Sequence, residues 1–173
     1  MQLKEVNKTL NEFGKYVVSQ SRANLTRGKK NYTRNLWESI NYTLDQTNAG
    51  PRLYFEMDDY GMFQDQGVKG KNPSLVKNGK QKAPNSKFRF KNKMPPQKPL
   101  MEWAKSKNIR LRDSSGKYKK GGYQTIGFIL QKRIFAQGLK PSLFFTKPFA
   151  KAFKNLPPDL GNSFGIDIEK ILS

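Results

Sequence analysis

The chain of 173 residues contains no cysteine and no histidine. Disulfide bonds, thiol nucleophiles, zinc sites built from Cys and His, and Ser-His-Asp catalysis are therefore excluded. No apolar run is long enough for a signal peptide or a membrane-spanning helix, and the N-terminus is charged from its fourth residue. We therefore expect no membrane partner.

Acidic residues are scarce, with 13 Asp and Glu against 33 Lys and Arg, which gives a formal net charge of +20. The excess lies mainly in residues 66–120, which hold 17 basic and 2 acidic side chains, whereas residues 1–65 are nearly balanced. A basic block in an otherwise balanced chain indicates a polyanionic neighbour, either nucleic acid or an acidic protein surface. The alternative is a solvated loop.

The few acidic residues offer little chemistry. Asp58, Asp59 and Asp65 are close in sequence, but neighbours in an extended segment point to opposite faces. No nucleophile has a base nearby in sequence. We therefore expect no enzymatic activity, no metal and no cofactor.

The apolar pattern predicts an α+β fold. Leu3, Val6, Leu10, Phe13 and Val17 form the stripe of an N-terminal helix that ends near Gly28. Alternating residues on both sides of Asn48, Gly50 and Pro51 predict an antiparallel hairpin, and residues 60–66 read as a third extended piece.

The second half of the sequence predicts two or three further helices packed on the hairpin. They start near Pro99, Tyr123 and Pro148, and Ile126, Ile129, Leu130 and Ile134 are expected on the inner face of the second. Between hairpin and helices lies a long basic loop, residues 68–93, which we expect to be poorly ordered in an isolated monomer. The prediction is a single domain over residues 1–156 and a C-terminal tail over 157–173.

Four motifs in this order resemble the tail-completion, or head–tail connector, proteins in the neck of tailed bacteriophages. The stretch "TRNLWESI" is similar to a family segment that leads into a hairpin, and "YGMFQDQGVKG" is similar to the segment after it. The helix start "PPQKPLMEWAKSKNI" and the closing stretch "GLKPSLFFTKPFAKAF" complete the likeness. The matching residues are Thr33, Leu36, Ser39, Ile40, Tyr60, Phe63, Asp65, Gly67, Pro95, Pro96, Leu100, Trp103, Gly138, Pro141, Phe144, Phe145 and Pro148.

The resemblance implies a non-enzymatic virion structural protein that forms a ring around the DNA channel and joins the portal, or head, to the tail. Such rings hold six copies, or twelve where they follow the portal. The implied partners are further copies of the chain, the portal or adjacent neck and tail proteins, and double-stranded genomic DNA in the channel. The implied location is the virion neck, after assembly in the host cytoplasm. The alternative is a free basic nucleic-acid-binding protein.

Two surfaces carry the functional expectations. The interface between neighbouring copies in such an assembly needs a protruding apolar side chain. Phe144 and Phe145, between Pro141 and Pro148, are the candidates, although both side chains could equally fill the chain's own core. The basic loop is expected to dock on a neighbouring protein rather than to track DNA, because its cations are clustered in a long loop instead of being spaced regularly along one element. Its candidate residues are Lys77, Lys80, Lys82, Lys87, Arg89, Lys91 and Lys93.

Overall fold

A computed structural model describes residues 3–28, 33–119 and 122–172. The contacts divide the chain into two compact units, here called the terminal unit (residues 1–61 and 143–173) and the inserted unit (residues 62–142). The described residues form seven α-helices, one 3-10 turn and two separate two-stranded antiparallel sheets. The predicted α+β class is confirmed. The expected division at residue 156 differs from this arrangement.

The N-terminal helix α1 covers Lys4–Arg27, as the stripe predicted. Its buried face includes Val6, Leu10, Phe13 and Val17, and the amide of Gly28 closes the last turn on the carbonyl of Asn24. Burial of this face, rather than helix propensity, stabilises a helix of this kind.

A short helix and the predicted hairpin follow. Helix α2 covers Asn35–Ser39, strand β1 covers Asn41–Thr47 and strand β2 covers Gly50–Glu56. The turn consists of residues 48 and 49 alone, because Gly50 pairs with Thr47 and Pro51 already pairs with Gln46. The predicted turn therefore extended two residues too far. A proline is tolerated in such a strand because a two-stranded sheet consists of edges.

Aromatic rings fill the space between α1 and the hairpin. Helix α6 covers Thr146–Phe153, so the predicted short helix is confirmed and begins two residues before Pro148. Phe13, Phe55, Phe145 and Phe149 lie with ring centroids 5.4–6.0 Å apart, most of them edge to face. Such pairs each contribute about 0.5–1.5 kcal/mol beyond the apolar area that they bury.

The predicted C-terminal tail is a helix of 17 residues, α7, over Leu156–Leu172. It lies along α1, with Leu156 and Leu160 in the same apolar cluster as Phe13. The sequence did not predict this helix because two prolines and two glycines lower the propensity of the segment. Prolines in the first turn are compatible with a helix, and packing on α1 compensates for the glycines.

A buried carboxylate joins the two ends of the terminal unit. The residue before α1, Leu3, has no capping side chain, and Asp167 of α7 accepts hydrogen bonds from the amides of Glu5 and Val6 at 3.0–3.1 Å. Lys170 forms an ion pair with the Glu5 carboxylate at 2.8 Å. Asp167 therefore caps the N-terminus of a helix that begins more than 160 residues earlier in the chain.

The inserted unit contains two packed helices and a small sheet. Helix α3 covers Tyr60–Gln66, where the sequence predicted an extended piece, and the chain passes into the inserted unit within it. Strands β3 (Val68–Lys69) and β4 (Gly138–Leu139) pair antiparallel. Helices α4 (Gln97–Ser106) and α5 (Tyr123–Gln137) confirm the two predicted helices. They approach closely where Gly127 faces the side chains of Met101 and Gln97.

The buried carboxylate gives a test of the terminal unit. Burial alone would raise the pKa of Asp167, but the backbone hydrogen bonds from Glu5 and Val6 outweigh it and hold the pKa below its usual value. We expect Asp167→Ala to lower the denaturant midpoint at neutral pH and Asp167→Asn to lower it less, because the amide oxygen still accepts one bond. Urea titrations followed by circular dichroism measure both.

The pH dependence follows from the sign of that shift. A lowered folded pKa means that the contribution is complete above the ordinary carboxyl value of 3.8 and is lost as the pH falls through the lower folded value. The difference between wild type and Asp167→Asn should therefore shrink on acidification. A difference that stays constant down to the acid-unfolding range would contradict the assigned role.

Candidate docking surface

The two phenylalanines predicted at a subunit interface belong to the core of the terminal unit. Phe144 is 1% exposed and packs in a cluster with Leu25, Leu36 and Ile40, and the backbone carbonyl of Phe144 accepts a bond from Asn24 Nδ2 at 3.1 Å. Phe145 is half-buried against the same clusters. A side chain that is fully buried in one copy is not available to a second copy, so the interface prediction is wrong for Phe144.

The flanking prolines have structural positions as well. Pro148 is buried in the first turn of α6, and Pro141, which lies in the inserted unit, is half-buried beside Gly67. The core alternative, which the sequence had left open, therefore accounts for the closing motif. The apolar knob of any ring interface has to be sought elsewhere.

The seven predicted docking cations lie on the surface of the inserted unit. All are exposed. They sit on an irregular segment that includes β3, the 3-10 turn Pro73–Leu75 and a parallel bridge between Lys69 and Arg89. The residues are Lys77, Lys80, Lys82, Lys87, Arg89, Lys91 and Lys93.

This basic segment is tied to the C-terminal end of α5. The amides of Lys71, Asn72 and Lys82 donate to the carbonyls of the last three residues of the helix at 2.8–3.2 Å. The last carbonyls of a helix have no partner within it, so these bonds satisfy the helix end and fix the loop together. Cations are also favoured there because the C-terminal end carries a partial negative charge. The expectation of a poorly ordered loop takes no account of these bonds.

Glycine allows the loop and the helix end to approach this closely. A Cβ atom at Gly70 would collide with the carbonyl of Ala136, and one at Gly138 would collide with the carbonyl of Val68. Gly138 also has a φ of 88°, a conformation that other residues rarely adopt. The side-chain amide of Gln81 then bonds both backbone groups of Gly70, at 2.7 and 3.2 Å.

The two units differ strongly in net charge. The inserted unit holds 20 basic and 3 acidic residues, net +17, while the terminal unit holds 13 and 10, net +3. Asp65 is buried, and Asp113 is engaged in its own turn, where hydrogen bonds from the Ser115 hydroxyl and the Lys117 amide lower its pKa. Only Glu102 remains as a fully exposed acid.

Several cations of the inserted unit lie over aromatic rings. Lys132 lies 4.5 Å from the centre of the Phe128 ring, and Lys87 lies 5.2 Å from that of Phe88. Among the described residues, Glu102 and Asp113 form no ion pair with a lysine or arginine of this unit. The surface of the unit therefore remains strongly positive.

An open apolar groove lies within this basic surface. It has a volume of about 680 Å³, its walls include Leu75, Met94, Phe128 and Ile129, and its charged lining residues are Lys77, Lys132 and Arg133. The sequence placed Ile129 on the inner face of α5, but this side chain is 47% exposed. The groove was missed because Leu75 and Met94 stand in the irregular segment, where no periodicity marks them.

Neither a metal site nor a membrane span is visible in the part of the chain that the structure describes. No three acidic side chains come together there, and Asp58, Asp59 and Asp65 do not form such a group. No helix among residues 3–28, 33–119 and 122–172 combines the length and the apolar character needed to cross a bilayer. The absence of a cofactor and of catalysis stays a prediction.

Comparisons of the chain with models of protein families, with curated proteins and with solved structures found no match.

Replacing the buried phenylalanine tests its assignment to the core. We expect Phe144→Ala to lower the free energy of unfolding by about 3–5 kcal/mol because of lost burial and the cavity left behind. The matched control is Phe153→Ala, since Phe153 is 50% exposed and its truncation should cost far less. Equal effects in chemical denaturation would contradict the core position of Phe144.

Hydrogen exchange tests the attachment of the basic loop to α5. In the isolated chain, the amides of Lys71, Asn72 and Lys82 should exchange more slowly than that of Lys77, for which no such backbone partner is found. Gly70→Ala should remove this protection because its Cβ collides with Ala136. Uniformly fast exchange across residues 68–93 would instead support the expectation of a poorly ordered loop.

Proposed function

We propose that this chain is a structural protein of the tailed-phage neck, which forms a ring around the DNA channel and uses its basic surface to dock on an acidic neighbouring protein. The observation that carries the proposal is the concentration of +17 in the inserted unit, with the loop cations exposed at its surface. A unit of this charge gains most from a partner that supplies the missing acids.

Several residues that carry the connector resemblance have a structural role in the fold. Leu36 and Ile40 are buried beneath the hairpin, and the Ser39 hydroxyl bonds the carbonyl of Leu36 and the amide of Asp58. Gly138 and Phe144 occupy a positive-φ position and a core position. Folding thus accounts for these five motif residues, whereas Thr33, Tyr60, Phe63 and Pro96 of the same motifs are exposed.

The groove favours docking over DNA tracking. A chain that lines a DNA channel needs cations and polar groups, because the genome has to slide past during packaging and ejection and tight phosphate contacts would hold it. Here Lys77, Lys132 and Arg133 line an apolar groove in which Phe128 is 44% and Leu75 is 75% exposed. Apolar side chains surrounded by charge are typical of a protein interface.

A second candidate function is free nucleic-acid binding. It is favoured by the same charge and by the alternation of aromatic rings with cations at Lys87, Phe88, Arg89 and Phe90. Salt dependence distinguishes it: a binder with about 6–10 phosphate contacts loses about 10³–10⁵ in affinity between 50 and 200 mM salt. A salt dependence this steep for binding to bare DNA, together with the absence of the chain from phage particles, would favour free nucleic-acid binding.

Charge reversal in particles tests the docking proposal. We expect the triple variant Lys87→Glu, Arg89→Glu and Lys91→Glu to give particles that fail to attach tails or that leak DNA, as seen by electron microscopy and nuclease sensitivity. The control makes the same change in charge on exposed lysines of the terminal unit, Lys8, Lys15 and Lys151, and should assemble normally. Variant particles that assemble normally and alter only DNA ejection would replace docking with contact in the channel.

A further inference from the structure

Exposed apolar side chains are concentrated at two places in this polar chain. Among the described residues, ten Phe, Leu, Ile and Met side chains are strongly exposed, and all but one belong either to the groove of the inserted unit or to helices α6 and α7. The exception, Phe63, packs edge to face on Phe88 with ring centroids 4.8 Å apart. Two exposed apolar surfaces of different shape, one concave and one on a helix, therefore need an explanation.

Helix α7 has a second apolar stripe besides the one that packs on α1. Phe164, Ile168, Ile171 and Leu172 are spaced 4, 3 and 1 residues apart, which places them along one side of the helix. Phe164, Ile171 and Leu172 are 49%, 50% and 81% exposed. Gly165 in the same stretch has open space beside it. The four apolar side chains are here called the α7 ridge.

The charges of the ridge and of the groove are opposite. The groove is lined by cations and by no acidic side chain. Helix α7 carries three acidic residues and one basic residue in a chain of net charge +20. Asp167 caps α1 and Lys170 pairs with Glu5, which leaves the exposed Asp159 and Glu169 as its free charges. Glu169 is exposed beside the ridge. Helix and groove thus complement each other in both apolar character and charge.

We propose that the α7 ridge of one copy docks in the groove of the next copy. The contact is heterologous, since a convex surface of the terminal unit meets a concave surface of the inserted unit, and such contacts produce rings when the rotation closes. The inference rests on the proposed function, because that function requires a closed ring. The α7 ridge is then the protruding apolar surface of the ring interface, a role that the buried Phe144 does not fill.

Two single-surface variants test the contact. Phe128→Glu disables the groove and leaves α7 intact, whereas Phe164→Glu disables the ridge and leaves the groove intact. Each replacement is at an exposed position, so each variant should fold, as circular dichroism checks. In sedimentation experiments, the wild type should self-associate with increasing concentration, and each variant alone should associate about tenfold more weakly or worse.

Mixing the two variants gives the sharpest readout. Each then supplies the surface that the other lacks, so the mixture should form a 1:1 dimer and stop there. The control, Tyr118→Glu, alters a 61% exposed aromatic residue of the inserted unit outside the groove and should associate like the wild type. A mixture that stays monomeric while the wild type associates would overturn the proposed contact.

A charge exchange checks the register of the contact. Lys132→Glu and Glu169→Lys should each weaken association, and the double variant should recover part of the loss if the two side chains approach each other. Wild-type association that none of these variants weakens, or a wild type that stays monomeric at every concentration, would overturn the inference. The neck function would survive either result, because its test is the behaviour of charge-reversed particles.

Discussion

Mutual repulsion among the cations of the inserted unit is the constraint on which the rest of the structure depends. Twenty basic and three acidic residues share this unit, one acid is buried and another is engaged in its own turn. The basic loop is held by backbone bonds to the end of α5, by close approach at Gly70 and Gly138, and by Lys71 and Lys87, which lie over the rings of Phe135 and Phe88. This construction leaves the positive charge of the unit at its surface.

The terminal unit differs from the inserted unit in its charge and in what stabilises it. Its charges nearly cancel, and its stability comes from a cluster of phenylalanines between α1, the hairpin and α6. The C-terminal helix completes it by capping α1 through Asp167. One unit is thus stabilised internally, while the other carries the unsatisfied surface, and this division of roles fits a protein that is built into a larger assembly.

The sequence predicted the elements that have a periodic apolar pattern and missed the features that depend on contacts between residues distant in sequence. Helices α1, α4 and α5 and the hairpin follow from apolar spacing. The sequence predicts residues 60–66 as extended because seven residues are too few to distinguish the period of a strand from that of a helix. Helix α7 was missed because its prolines and glycines lower its propensity while packing on α1 compensates. For the site, the exposed cations were predictable from composition, but the groove was not, since Leu75 and Phe128 become neighbours only through the fold. Phe144 shows the same limit: its burial depends on Leu25 and Ile40, which are distant in sequence.

A cryo-electron-microscopy map of the particle that contains this chain tests the central claim most directly. We expect a ring of copies around the DNA channel, with the inserted unit of each copy seated against an acidic face of an adjacent protein and Lys87, Arg89 and Lys91 within ion-pairing distance of its carboxylates. A map in which those side chains face the DNA, or in which no ring of this chain is present, would contradict it.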